Sequence, residues 1–210
     1  MTPTQEMEEK LMIIAVEGPS AAGKTTLCQQ WERTIVPEYQ PTGGEPADKS
    51  IEVQAHFWNN VNTTRWNAAR LLENKSGLAI CDTDPMHLHY SWTLARSGHA
   101  PKERFEFEAM LVREALVEKR IGFADAIAVN FPTQDELRQR KNLDSVRVRA
   151  DFELQVQLRE PLREWYQALE EADPGSVVGW DVDIDAVEPR QRRYDAALFD
   201  ALLHNLPTLR

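Results

Sequence analysis

The residues best suited to chemistry lie near the amino end, where positions 18 to 25 read Gly-Pro-Ser-Ala-Ala-Gly-Lys-Thr. The spacing G-x-x-x-x-G-K-[ST] suits a loop that wraps a phosphate group. Successive backbone N–H groups point inward, and the glycines permit the backbone angles and the close approach. Gly18, Ser20, Ala21, Ala22, Gly23, Lys24, Thr25 and Thr26 are therefore the expected residues around the phosphates of ATP. Lys24 supplies a point charge for the outer phosphate oxygens, and Thr25 offers a hydroxyl to Mg²⁺. Background residue frequencies make a chance match rare, on the order of 1% in a chain of this length.

Two carboxylate segments and one basic segment could complete such a site. Cys81-Asp82-Thr83-Asp84-Pro85 follows an apolar run. A carboxylate at that strand end reaches the Mg²⁺ shell, with Asp82 better placed than Asp84; the competing reading is plain turn chemistry. Glu38, in Val36-Pro-Glu-Tyr39, is a candidate base for an acceptor hydroxyl, with Asp84 as the other residue that could orient the acceptor, against the alternative of a solvated loop glutamate. Further on, Arg138, Arg140, Lys141, Arg147 and Arg149 gather within twelve positions. Arginines of a closing lid, here Arg140, Arg147 and Arg149, stabilise charge on a transferred phosphoryl group. The competing reading is a solvated helix face balanced by Asp135, Glu136 and Asp144.

The elements that must hold these residues follow from apolar periodicity. Leu11-Met-Ile-Ile-Ala-Val16 is a continuous apolar run, as in a strand buried on both faces, and a helix is expected from Lys24 with Leu27 and Trp31 on one face. Thr34-Ile-Val36 reads as a second strand, Leu78-Ala-Ile-Cys81 as a third, Ala126-Ile-Ala-Val129 as a fourth, and 177–182 as a weaker fifth. Val53, Phe57, Val61, Thr64, Ala68 and Leu72 recur at helical spacing, so 50–73 should be a long helix resting on that stripe. Helices are also expected over 102–120, closed by Gly122, and over 194–204. Another carries Leu158, Leu162, Trp165, Tyr166 and Leu169, with Pro161 either kinking it or starting it. Strands alternating with helices imply a parallel five-stranded sheet flanked by helices, an α/β phosphate-loop NTPase fold with a helical lid at about 134–152. No repeat or long linker divides the chain, so 1–210 is expected to be one domain.

The formal net charge of −10 disfavours nucleic acid and anionic membranes as partners, while a nest of backbone amides still accepts a small anion. Two cysteines, Cys28 and Cys81, form no disulfide framework, and the polar start of the chain is unlike a signal peptide, which points to the cytoplasm. His87 and His89 lack further ligands at zinc spacing and read as surface or pocket histidines. Trp58, Trp66 and Trp92 are core residues by default, with stacking on a planar substrate as the alternative. Asn74-Lys75 lacks the aspartate of a guanine-specificity motif, because Gly77 stands there.

Glu17-Gly-Pro-Ser-Ala-Ala-Gly-Lys-Thr-Thr26, Val36-Pro-Glu-Tyr39, Cys81-Asp-Thr-Asp84 and the downstream arginines together resemble the small phosphate-loop kinases. The nearest likenesses are the bacterial nicotinamide riboside kinases and the deoxynucleoside kinases, over about 12–169. The resemblance implies an ATP- and Mg²⁺-dependent kinase of a small-molecule hydroxyl, in which Asp82 matches the strand-end acid and Glu38 the acidic residue near the acceptor. Positions 82–84 are neither Asp-Arg-Tyr nor Glu-Arg-Ser, and no Asp-Gly-x-Pro-Arg occurs, so the acceptor is open between a nucleoside and a specialised metabolite. A homodimer is admitted as the assembly. The rival class is a nucleotide-dependent switch or regulatory ATPase without such an acceptor.

Overall fold

The computed structural model describes residues 10–143 and 151–209. Met12–Glu17 extend as strand β1, whose side chains alternate between two apolar layers. Ile13 and Ala15 join the larger core, and Met12, Ile14 and Val16 the smaller one. Both faces are covered, which is why the run is continuously apolar.

Helix α1 (Lys24–Gln30), strand β2 (Ile35–Val36), helix α2 (Ile51–Ser76), strand β3 (Leu78–Asp82) and helices α3 (His89–Arg96) and α4 (Lys102–Val117) come next. Then come β4 (Ala126–Val129), α5 (Gln134–Leu143), α6 (Phe152–Gln157), α7 (Arg159–Ala172), β5 (Val177–Gly179), a 3₁₀ turn (Ile184–Ala186) and α8 (Ala196–Asn205). The five strands order as β2-β3-β1-β4-β5, and every described pairing is parallel, with Val16 beside Asp82 and Val129 beside Glu17 and Gly179. The α/β fold expected from the sequence is the one observed. Residues of α2, α3, α4, α7 and α8 build the larger core, and α1 with the 3₁₀ turn covers the other face. No helix among the described residues is long and apolar enough to cross a membrane.

Three expectations need correction. Helix α2 does not rest on its apolar stripe: Val53, Thr64 and Ala68 are exposed, and the buried residues are Ala55, Asn59, Asn62, Arg65, Trp66, Ala69 and Glu73. Arg65 bonds to the β3 end and Asn62 to the Met86 carbonyl in the turn beyond it, so hydrogen bonding joins the packing of Ala55, Trp66 and Ala69 in selecting the inward face. Helix α4 ends at Val117, before Gly122, through a left-handed Lys119 (φ 59°). Gly122 serves close packing instead, because a Cβ there would lie 2.6 Å from the Trp66 ring. Strand β5 stops at Gly179, and the Trp180 indole N–H then donates to the carbonyl of Ala128 (3.0 Å). Pro161 falls in the first turn of α7, where its missing N–H costs nothing.

Candidate active site

All five strands run the same way, so their carboxyl ends open onto one side of the sheet, where ligands gather in such folds. The phosphate loop leaves β1 there. Gly18 passes so close to β4 that a Cβ would sit 2.6 Å from the Asn130 carbonyl. Gly23 takes φ 106° as the N-cap of α1, a conformation other residues adopt at a cost. Lys24 Nζ donates to the Gly18 carbonyl (2.9 Å), holding the ammonium across the mouth of the loop. Arg140 reaches back from α5 and donates to the Ala22 carbonyl (2.5 Å), so this arginine of the expected lid does meet the loop. Arg147 and Arg149 lie outside the described residues.

The expected metal residues separate. Thr25 Oγ1 donates to Asp82 Oδ2 (2.6 Å), while the buried Asp82 Oδ1 has no hydrogen-bond partner among the described residues. An orphaned anionic oxygen beside a phosphate-loop hydroxyl fits a hard divalent cation, which prefers oxygen ligands and completes its shell with phosphate and water. Asp84 is differently engaged. Its Oδ1 accepts the Met86 N–H (3.0 Å), and burial pushes its carboxyl up to about 7. Of the two, Asp82 is the one that stands beside the Thr25 hydroxyl.

Glu38 lines the same cavity, a cleft of about 1180 Å³ that extends from the loop to Trp58, Asn62, His87 and His89. Burial pushes its carboxyl up; Lys24 and Arg65 pull it back, and Asp82 and Glu17 push with the burial. A carboxylate whose pKa is raised is a stronger base than a solvated one. Of the three tryptophans, Trp66 and Trp92 are core residues, whereas Trp58 faces the cleft with Tyr39 against its edge (centroids 5.4 Å apart).

Glu17 and Arg65 line the cleft although the sequence reading assigned them no role, and of the two readings of His87 and His89, surface or pocket, the cleft lining agrees with the second. Glu17 closes β1, accepts the N–H groups of Gly18 (3.0 Å) and Asp84 (2.8 Å), and so ties the phosphate loop to the β3 end. Its signal was a carboxylate ending an otherwise apolar strand. His89 Nε2 stands 3.6 Å from Glu17 Oε1, and Tyr166 OH lies 3.3 Å from its Nδ1. Burial raises Glu17 and drives His89 down to about 3, so the pair is a neutral imidazole facing a carboxyl group and not an ion pair.

No protein-family model matches the chain, and no curated protein does. Its structure is similar to that of deoxyadenosine kinase from M. mycoides with bound dATP, at a TM-score of 0.55 and 15% identity over 84% of this chain and 94% of that one. The same enzyme with dCMP and dCDP aligns at 0.54 and 13% over 92% and 97%. The NadR protein in complex with NR aligns at 0.56 and 22% over 96% of this chain, which spans 53% of that one. At these identities the likeness establishes the α/β fold that the chain shares with these proteins.

Proposed function

We propose that this chain, acting as one kinase unit, transfers the γ-phosphate of ATP to a hydroxyl of a small, nucleoside-like molecule. The observation that carries the reading is the continuity of the cleft. One cavity joins the phosphate loop to Glu38, Trp58 and Asn62, and an ATPase that only switches needs no such second compartment. The loop amides and Lys24 hold the triphosphate. Thr25 and Asp82 would hold Mg²⁺, which neutralises charge on the β- and γ-oxygens when bound. The acceptor oxygen attacks the γ-phosphorus, its bond to the β,γ-bridging oxygen breaks, and Glu38 takes the hydroxyl proton. The contact of Arg140 with the Ala22 carbonyl supports a role for it in stabilising the transferred group; Arg147 and Arg149 are further candidates from the sequence alone. Trp58 offers a ring face for a planar group of the acceptor. The family likeness of the motifs, with the nucleoside kinases among the fold neighbours, favours a ribose- or deoxyribose-like hydroxyl.

The test is ADP release across a panel of nucleosides and hydroxylated metabolites, with ATP and Mg²⁺. Acceptor-dependent release with a phosphorylated product is the expected result. Hydrolysis that no acceptor accelerates would favour the switch reading.

A further inference from the structure

Arg65 stands in the buried face of α2 at 8% exposure, and its donors go to main-chain carbonyls of two different strand ends. Nε donates to Pro37 (3.2 Å), the residue before Glu38. Nη1 donates to Asp84 (3.3 Å), and Nη2 to Asp82 (2.7 Å) and Thr83 (2.9 Å). Nη2 also reaches the Thr83 hydroxyl (3.0 Å). Thr83 needs holding: φ is 71°, a left-handed conformation that a β-branched residue adopts only when its surroundings impose it. Its own N–H is fixed by the Val16 carbonyl (3.1 Å), so the turn is clamped from β1 and from α2.

A planar guanidinium with five donors can span carbonyls that no other side chain could join at once. Strand β2 has two residues and pairs with β3 only through Ile35 and Val36, so its own ladder does little to fix the residues after Val36. Beyond that short ladder, the segment carrying Glu38 is tied to the segment carrying Asp82 through the Arg65 side chain. We propose that Arg65 is a positioning residue, which sets the distance between the acceptor's base, Glu38, and the phosphate-side carboxylate, Asp82. It acts on both carboxylates through main-chain carbonyls, although its side chain also borders the cleft. This inference rests on the kinase reading of the cleft.

The consequence is a separation between chemistry and donor binding. Misplacement of a reacting group by about 1 Å costs on the order of 10²-fold in rate. These hydrogen bonds of Arg65 involve no atom of the phosphate loop, so ATP binding should be little affected. The experiment uses the full chain with an acceptor found in the panel, and compares wild type with Arg65→Gln and Arg65→Lys. In Arg65→Gln, kcat is expected to fall on the order of 10²-fold, while the Kd for ATP stays within about twofold. Arg65→Lys keeps the charge but cannot span both strand ends, so an intermediate loss of about tenfold is expected.

A folded Arg65→Gln protein with wild-type kcat would overturn the proposal. So would a parallel loss of kcat and ATP affinity, the pattern of a generally loosened fold. If Arg65→Gln does not fold, Arg65→Lys decides by the same split, and wild-type kcat in that variant overturns the proposal. A wild-type protein that phosphorylates no acceptor removes the kinase reading and this inference together, whereas an active wild type with undiminished variants removes only the role of Arg65.

Discussion

The two halves of the cleft are built by different means. The half proposed to hold the donor is made of contiguous residues, 18 to 26, and offers mainly backbone amides whose directions the glycines and the α1 terminus set. The acceptor half draws on side chains from the β2 end, α2, the turn after β3 and α3, including Glu38, Trp58, Asn62, Arg65, His87 and His89. A backbone nest tolerates change at most of its side chains but not at its glycines or its lysine. A wall of side chains can be re-cut one residue at a time, which is how one fold serves many acceptors.

That contrast breaks first at Lys24. Lys24→Ala should lower kcat/KM by on the order of 10³-fold while the melting temperature moves little, because the ammonium serves the phosphates and supports no core. Near-normal turnover in the folded variant would refute the donor half as drawn. Next comes the metal pair. Asp82→Asn should raise the Mg²⁺ concentration for half-maximal rate by about tenfold or more, and Asp84→Asn much less, because Asp82 sets beside Thr25 an oxygen with no hydrogen-bond partner among the described residues. A titration with the reverse ranking would move the role to Asp84.

On the acceptor side, Trp58→Leu should raise the acceptor KM about tenfold, or ~1.4 kcal/mol, and leave the KM for ATP alone. Trp92→Ala is the control. It should cost about 3–5 kcal/mol in chemical denaturation, because that ring is fully buried in the core. Equal effects of Trp58→Leu on both substrates would erase the boundary between the halves.

The smallest effect concerns His89. Its folded value of about 3 lies below the ordinary 6.5, so the unfolded chain binds the extra proton between these limits. This histidine's contribution to stability is therefore full above about pH 6.5 and declines as pH falls toward 3. His89→Gln should weaken that decline, measured as the difference in denaturation midpoint between about pH 7 and pH 5. An unchanged difference would place the buried neutral imidazole elsewhere.

Local chemistry determined much of this protein. The phosphate loop, the strand before it and the helix after it are read from adjacent residues, since a glycine pattern and an unbroken apolar run each specify their own backbone. The position of Asp82 at a strand end was equally legible, because the run 78–81 and the turn residues after it fix it locally. Tertiary structure decided which face of α2 turns inward. Periodicity marks where apolar side chains recur, but Asn62 and Arg65 are buried because carbonyls at Met86, Pro37 and the β3 end need donors. It also distinguished Trp58 from Trp66 and Trp92, three residues of one type whose roles depend on what stands opposite. Asp84 differs from Asp82 for the same reason. Two carboxylates two positions apart have the same sequence chemistry, and only the partners folded around them, Met86 for one and Thr25 for the other, leave one oxygen open.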